Sequence, residues 1–189
     1  MNIYIKIEVE TRELLSRLML GMYAAAEGHK VLIGDDELLK HVQNNKLHPG
    51  IILEKSITPS ESRIRQLEDY KKNYSIVTSI DEEGGLLREN LNTFLNSRFS
   101  EKSIFLTDKI FCWSEYDLNT LLSLFPKQKK KFVKTGNPRV TLWNKQFQNL
   151  FISKEIKDQK YIFISSNFGV GVSNKRLSEI VKYHIKSNY

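Results

Sequence analysis

The feature of this sequence that most restricts its fold is an alternation between short apolar runs and longer amphipathic stretches. Apolar runs of a few residues favour strands, while apolar residues that recur every three or four positions favour helices. Parallel strands that are buried on both faces by crossover helices produce this alternation. We therefore predict an α/β protein with a parallel sheet flanked by helices.

The first half of the chain carries the clearest strand and helix patterns. The first predicted strand covers residues 3–9. The first predicted helix covers residues 12–27, where Leu and Met recur at helical spacing before Gly28, which suits a helix end. The same criteria predict strands over 29–33, 50–54 and 74–78, and helices over 35–45 and 59–72.

The second half continues the pattern and then changes. Its predicted elements are helices over 86–103 and 114–124 and strands over 109–113, 132–134 and 161–165. A polar stretch over 153–160 precedes the last strand. We therefore divide the chain into a first domain, residues 1–152, and a linker with the beginning of a second domain, residues 153–189.

The composition excludes several classes of protein. A single cysteine, Cys112, cannot form an intrachain disulfide, and four scattered histidines predict no metal centre. The apolar runs are far shorter than the roughly 20 residues that span a bilayer. Charged residues interrupt the first segment where a signal peptide needs an apolar core. These features predict a cytoplasmic protein.

The net charge of +7 is distributed unevenly. Residues 1–95 carry 12 basic and 15 acidic side chains, whereas residues 96–189 carry 17 and 7. The densest basic segment is Lys127, Lys129, Lys130 and Lys131. It is either a solvated loop or a surface for phosphates or anionic lipid headgroups. Because aromatic residues are not interleaved with these lysines, the sequence disfavours nucleic acid as a partner.

Charged residues are dense where the first predicted strand meets the first predicted helix. Parallel sheets bind ligands at the carboxyl ends of their strands, so this position suits a site. Arg12 and Arg17 could hold an anionic group, and Glu8 or Glu10 could accept a sugar hydroxyl or act as a general base. Glu13 also fits a structural role at the positive end of the helix dipole.

A second acidic group follows the fourth predicted strand. Asp81, Glu82 and Glu83 precede Gly84. One of these carboxylates could serve as a base or bind a hydroxyl, and the glycine would let a substrate approach the backbone. Three adjacent carboxylates are also common in an ordinary surface turn.

Two later loops supply further candidates. Asn137 and Arg139 lie in a Gly-Asn-Pro turn after the lysine-rich segment, and the turn itself does not account for the arginine. Ser165 ends the last predicted strand, and Asn167 lies in the loop that follows it. No glycine-rich phosphate-binding motif accompanies them.

Four segments in order resemble a known family. They are I-x-I-E-V-E-T-R-E-L-L-S-R-L, A-A-A-E-G-H-K-V-L-I-G, D-E-E-G and T-G-N-P-R. Together they are similar to the bacterial surface carbohydrate biosynthesis proteins, which look like GT-B type glycosyltransferases. The segment I-F-I-S-S-N-F-G resembles the start of the second domain in that family.

The resemblance implies a Rossmann-like first domain on the acceptor side of a two-domain cleft. It also implies that the present chain holds only the beginning of the second domain and is catalytically incomplete alone. The implied catalytic candidates are Glu8, Glu10, Glu82 and Glu83, and the implied substrate-binding candidates are Arg12, Glu13, Arg17, Asp81, Gly84, Asn137, Arg139, Ser165 and Asn167.

The same resemblance implies sugar transfer from a nucleotide-sugar donor to a capsule or lipopolysaccharide acceptor, which is a glycan or is lipid-linked. The donor is a substrate, so no cofactor is expected, and GT-B catalysis generally needs no bound metal. Peripheral contact with the anionic inner face of the membrane is also expected. Two alternatives stay open: a non-catalytic Rossmann-like or flavodoxin-like binding or regulatory module, and a GT-B-related sugar-nucleotide epimerase.

Overall fold

The structure is a computed structural model that describes residues 1–44, 49–72, 76–84 and 90–150. Its strands are β1 (Asn2–Lys6), β2 (Lys30–Gly34), β3 (Gly50–Glu54), β4 (Ile76–Ile80), β5 (Lys109–Cys112) and β6 (Phe132–Lys134). Its helices are α1 (Glu10–Ala26), α2 (Asp36–Asn44), α3 (Glu61–Lys72), α4 (Leu91–Arg98), α5 (Glu101–Phe105), α6 (Glu115–Leu124) and α7 (Pro138–Thr141). Short 3-10 helices cover Pro126–Lys131 and Lys145–Leu150.

The strand order is β2-β1-β3-β4-β5-β6, and every neighbouring pair is parallel. The chain passes from β1 to β2 on one side and then crosses to β3 on the other side of β1. The topological switch point therefore lies between β1 and β3. This architecture confirms the predicted α/β class and the Rossmann-like parallel sheet flanked by helices.

Helix α1 begins two residues before its predicted start, because Val9 takes an extended conformation and opens the helix at Glu10. At its other end, Gly28 has a φ of 81°, a left-handed conformation that favours glycine. The backbone N–H of Gly28 donates to the carbonyl of Ala25 over 3.0 Å. Gly28 therefore ends the helix, as the sequence predicted.

The helix predicted over 86–103 is divided in the described part of that range into α4 and α5. Phe99 is extended between them, with φ −131° and ψ 147°. Ser100 and Ser103 then form a capping box, in which each side chain accepts from the backbone N–H of the other. The serine pair makes a new helix start more favourable than continuation of the first helix.

The two faces of the sheet are covered differently in the described part of the chain. Helices α2 to α6 pack on one face, where Ile57, Leu67, Val77 and Ile104 are fully buried. On the other face, Leu20 of α1 packs over a smaller apolar cluster. An apolar groove of about 480 Å³ lies on this face between residues of α1 and α7.

Met1–Leu150 forms one compact unit. The predicted second domain, residues 153–189, lies outside the described residues, together with the strand over 161–165. Within the described ranges, no helix combines the length and apolar character that crossing a bilayer requires.

Candidate functional site

Three segments of the chain meet at the carboxyl edge of the sheet. They are the first turns of α1, the turn that follows β4, and α7 with the residue that precedes it. The contacts described below join charged side chains from all three segments. Ligands of open α/β sheets bind at this edge, because strand ends and helix N-termini converge there.

The centre of the site is a buried ion pair between Arg17 and Glu82. Arg17 Nη2 donates to Glu82 Oε1 over 2.6 Å, and the side chains are 1% and 3% exposed. Burial raises the pKa of Glu82, although the charges of Arg17 and Arg139 oppose this shift. Among the described residues, Arg17 Nε, Arg17 Nη1 and Glu82 Oε2 have no hydrogen-bond partner. Two nitrogen atoms of Arg17 and one oxygen atom of Glu82 can therefore form hydrogen bonds with another polar group.

Arg139 of α7 closes over this pair. Its Nη2 donates to the backbone carbonyl of Glu82 over 3.2 Å, and its Nη1 lies 3.5 Å from Glu82 Oε2. The guanidinium also lies 5.2 Å from the centre of the Trp113 ring, within the range of a cation–π interaction. Arg139 therefore ties α7 to the turn after β4 through both charge and aromatic contact.

Asp81 holds the turn in place. Arg98 forms a bidentate pair with it, since its Nε and Nη2 donate to the two carboxylate oxygens over 2.9 and 3.0 Å. Asp81 Oδ1 also accepts the backbone N–H of Glu83 over 2.8 Å. Burial raises the pKa of Asp81, against the charge and hydrogen bonds of Arg98. These contacts give Asp81 a positioning role beneath the site.

Gly84 packs against Trp113. A Cβ atom at Gly84 would lie 2.8 Å from Trp113 Nε1, closer than such atoms normally approach. Trp113 Nε1 donates to the carbonyl of Asp81 over 2.7 Å. Gly84 is predicted to let a substrate approach the backbone. In the structure, the space beside this glycine is occupied by the indole ring of Trp113.

The first turn of α1 contributes a more accessible pair. Glu13 is fully buried; its Oε2 accepts the backbone N–H of Glu8 over 2.8 Å, and its Oε1 accepts from Arg12 Nη2 over 2.9 Å. Burial alone would raise the pKa of Glu13, but these hydrogen bonds hold it below its usual value. Arg12 Nη1 also donates to Glu83 Oε1 over 3.1 Å, where the two side chains are 34% and 41% exposed. Arg12 and Glu83 are therefore the parts of the cluster that a substrate can reach.

Asn137 caps α7. Its Oδ1 accepts the backbone N–H of Arg139 over 2.8 Å, and Gly136 before it has a φ of 80°. This arrangement explains the predicted turn. Asn137 is buried, and its Nδ2 has no hydrogen-bond partner among the described residues.

The remaining candidates lie outside this cluster. Glu8 forms an ion pair with Lys55 at its margin, and Glu10 is exposed in the first turn of α1. Ser165 and Asn167 lie outside the described residues.

Two residues of the site were not among the predicted ones. Trp113 lies directly after β5, a position that marks it as a strand-end residue. Arg98 lies 17 positions from Asp81 at the end of α4, and no local pattern links the two. Helix packing alone brings this arginine to the turn.

The cluster joins arginines and carboxylates around a buried centre, with Arg12 and Glu83 at its accessible side. Such an arrangement can hold a polar ligand through charge-assisted hydrogen bonds and can present a carboxylate to a hydroxyl group. No group of three His, Cys, Asp or Glu side chains that could hold a metal ion occurs within the described ranges. Comparisons of the chain with protein-family models, curated proteins and solved structures found no match.

Proposed function

We propose that the chain is the N-terminal part of a GT-B type glycosyltransferase that transfers a sugar from a nucleotide-sugar donor to a surface-glycan acceptor. The observation that carries this proposal is the Arg17–Glu82–Arg139 cluster, whose buried atoms keep unused hydrogen-bonding capacity. Its position at the carboxyl edge of a parallel sheet supports a ligand site. The ordered motifs of the sequence supply the link to this class of enzyme.

The accessible members of the cluster have the chemistry that an acceptor site needs. Glu83 is a partly exposed carboxylate that could accept the proton of a sugar hydroxyl. Arg12 donates a hydrogen bond to Glu83, and its guanidinium could also orient an acceptor group. Glu82 and Arg17 would set the electrostatic field beneath them, because charges act more strongly where water is excluded.

A second function is favoured by the strand order. The order β2-β1-β3-β4-β5 is that of flavodoxin-like folds, which include small-ligand and regulatory modules. Under this alternative, the same edge would bind a ligand without transferring a sugar.

The test is a transfer assay on the protein encoded by the complete gene, with a panel of nucleotide sugars and with glycan and lipid-linked acceptors. We expect Arg12→Ala and Glu83→Ala to reduce turnover at least tenfold. Glu83→Ala should change the free energy of unfolding by no more than about 1 kcal/mol, as is typical of exposed ion pairs. Arg12→Ala should cost more, because it also removes the charged partner of the buried Glu13. Glu61→Ala, in the exposed Arg65–Glu61 pair of α3, is the matched control and should leave turnover unchanged.

The outcomes separate the two functions. Binding of a nucleotide sugar without any transfer would favour the binding module. Absence of both binding and transfer across the panel would overturn the glycosyltransferase proposal.

A further inference from the structure

A polar groove of about 590 Å³ lies between α2 and α3, apart from the cluster described above. Its walls come from the start of α2, the loop after β3 and the outer side of α3. The lining residues used below are Asp36, Lys40, Ser62, Arg63, Gln66 and Tyr70. Its volume lies within the ordinary range of small-molecule sites, roughly 300–1,000 Å³.

The groove lies beside the topological switch point of the sheet. β1 and β3 flank this point, and they end at Lys6 and Glu54. Both side chains are almost fully buried, and both contact residues of the groove. Open α/β sheets bind ligands in the crevice at this position, so the topology independently indicates a binding site.

The floor of the groove is anchored to these two strand ends. Lys6 Nζ lies 2.5 Å from Asp36 Oδ1 and 3.6 Å from Glu54 Oε2, as an ion pair rather than in hydrogen-bond geometry. The Tyr70 hydroxyl donates to Glu54 Oε1 over 3.0 Å. Although burial would raise the pKa of Asp36, Lys6 and Gln66 hold it below its usual value, so this carboxylate stays an acceptor.

The side chains of α3 complete the connection. Gln66 Nε2 donates to Asp36 Oδ1 over 2.8 Å, while Arg63 Nη1 contacts both Gln66 Oε1 and Glu54 Oε2. The contacts form a closed ring through β1, α2, α3 and β3. A floor held in this way is preorganised, which lowers the entropic cost of binding.

The chemistry of the lining indicates the ligand. Cations, carboxylates, hydroxyls and one amide are mixed along its walls, so donors and acceptors are both present and neither charge dominates. The cations are Lys40, Arg63 and Arg65, and the carboxylates are Asp36 and Asp69. A phosphate would meet two carboxylates as well as three cations in this groove, so the lining does not select for an anion. Each hydroxyl of a sugar is both donor and acceptor, and charged partners strengthen both kinds of hydrogen bond.

We propose that the groove between α2 and α3 binds a saccharide, with a pyranose ring placed against Asp36, Arg63 and Gln66. The proposal depends on this groove alone and holds whether or not the protein transfers sugars.

The test is a titration of the full chain, labelled with ¹⁵N, followed by NMR. The probes are glucose, galactose, N-acetylglucosamine and their disaccharides, with inorganic phosphate as a separate arm. We expect at least one sugar to shift the backbone amides of the groove saturably, and phosphate to leave them unchanged. Ser62→Trp places a bulky ring in the groove and should weaken binding at least tenfold. Ser123→Trp, at an exposed position of α6 outside the groove, is the matched control and should bind as the unchanged protein does.

Three results would overturn the proposal. They are the absence of saturable shifts with every sugar, shifts confined to amides outside the groove, and saturation of the groove by phosphate alone. If the protein transfers no sugar but binds one in this groove, the proposed function is refuted and the saccharide site is supported.

Discussion

At the scale of single residues, the two ion pairs of the candidate site differ in their burial. Arg17 and Glu82 are withdrawn from water, whereas Arg12 and Glu83 are each more than one third exposed. Removal of one partner from a buried pair leaves the other charge without compensation. An exposed pair is screened by solvent and contributes little.

Glu82→Gln should therefore destabilise the protein by about 3–5 kcal/mol, because Arg17 would remain charged and buried. Glu83→Gln should cost less than about 1 kcal/mol. Urea denaturation of both variants at neutral pH measures the difference. Similar effects of the two substitutions would contradict the assignment of Glu82 to the buried centre.

Glu13 gives the protein a predictable dependence on pH. Its pKa in the folded protein lies below the usual 4.5 despite burial, owing to the hydrogen bonds from Arg12 and Glu8. A lowered folded-state pKa stabilises the protein above the unfolded value, and this stabilisation is lost as the pH falls through the folded-state pKa. Glu13→Gln should therefore destabilise the protein most near pH 7 and progressively less below pH 4.5. Urea midpoints across this range test the trend, and a constant difference between the two proteins would contradict it.

At the scale of elements, one lysine of the basic segment has a structural role. Lys131 Nζ donates to the carbonyls of Ile104, Phe105 and Thr107 over 2.9, 2.6 and 2.7 Å. These carbonyls lie at the end of α5, where the last turn lacks partners of its own. The position also suits a cation, because the carboxyl end of a helix carries partial negative charge.

Lys131→Met should therefore destabilise the protein by about 1–2 kcal/mol, since it removes the charged donor and keeps most of the aliphatic stem. Lys129→Met, in the same segment but exposed, should change stability by less than about 0.5 kcal/mol. Thermal or urea unfolding compares the two variants. An equal effect would mean that the cap contributes nothing beyond the charge of the segment.

At the scale of the whole molecule, the lysine-rich segment over 127–131 and the candidate site lie at opposite edges of the sheet. The 3-10 helix over Pro126–Lys131 leads directly into the first residue of β6, and Lys109 at the start of β5 donates to the carbonyl of Lys130 over 2.9 Å. The basic segment is thus at the amino edge. A membrane bound at this edge would leave the carboxyl edge open to substrates.

The membrane contact expected from the charge distribution can be tested at this edge. Each lysine near an anionic bilayer contributes about 1 kcal/mol, so replacement of Lys127, Lys129 and Lys130 by Glu should reduce binding to phosphatidylglycerol-containing vesicles by about 100-fold or more. Lys40, Lys134 and Lys145 are exposed elsewhere, and their replacement by Glu is a control with the same change of net charge. Equal losses for both triple variants in a vesicle sedimentation assay would contradict binding through the amino edge.

Much of the candidate site could be predicted because of strand direction. In an all-parallel sheet, every strand that is recognised places the following loop at the same edge. The sequence therefore predicts that Glu13, Arg17 and Glu82 lie at the same edge of the sheet. Their division into a buried centre and an accessible rim depends on the packing of α1 against the sheet, which periodicity does not describe.

The residues alone were sufficient for the α/β class, most element positions and the end of α1 at Gly28, because apolar spacing and helix-end preferences act over a few neighbouring positions. Packing was needed to bring Arg98 to Asp81, to place Trp113 beneath Arg139, and to form the groove that joins Lys6 to Glu54 and Arg63. These partners are distant in the chain, and they meet only because the strand order and the helices laid across it position their side chains together.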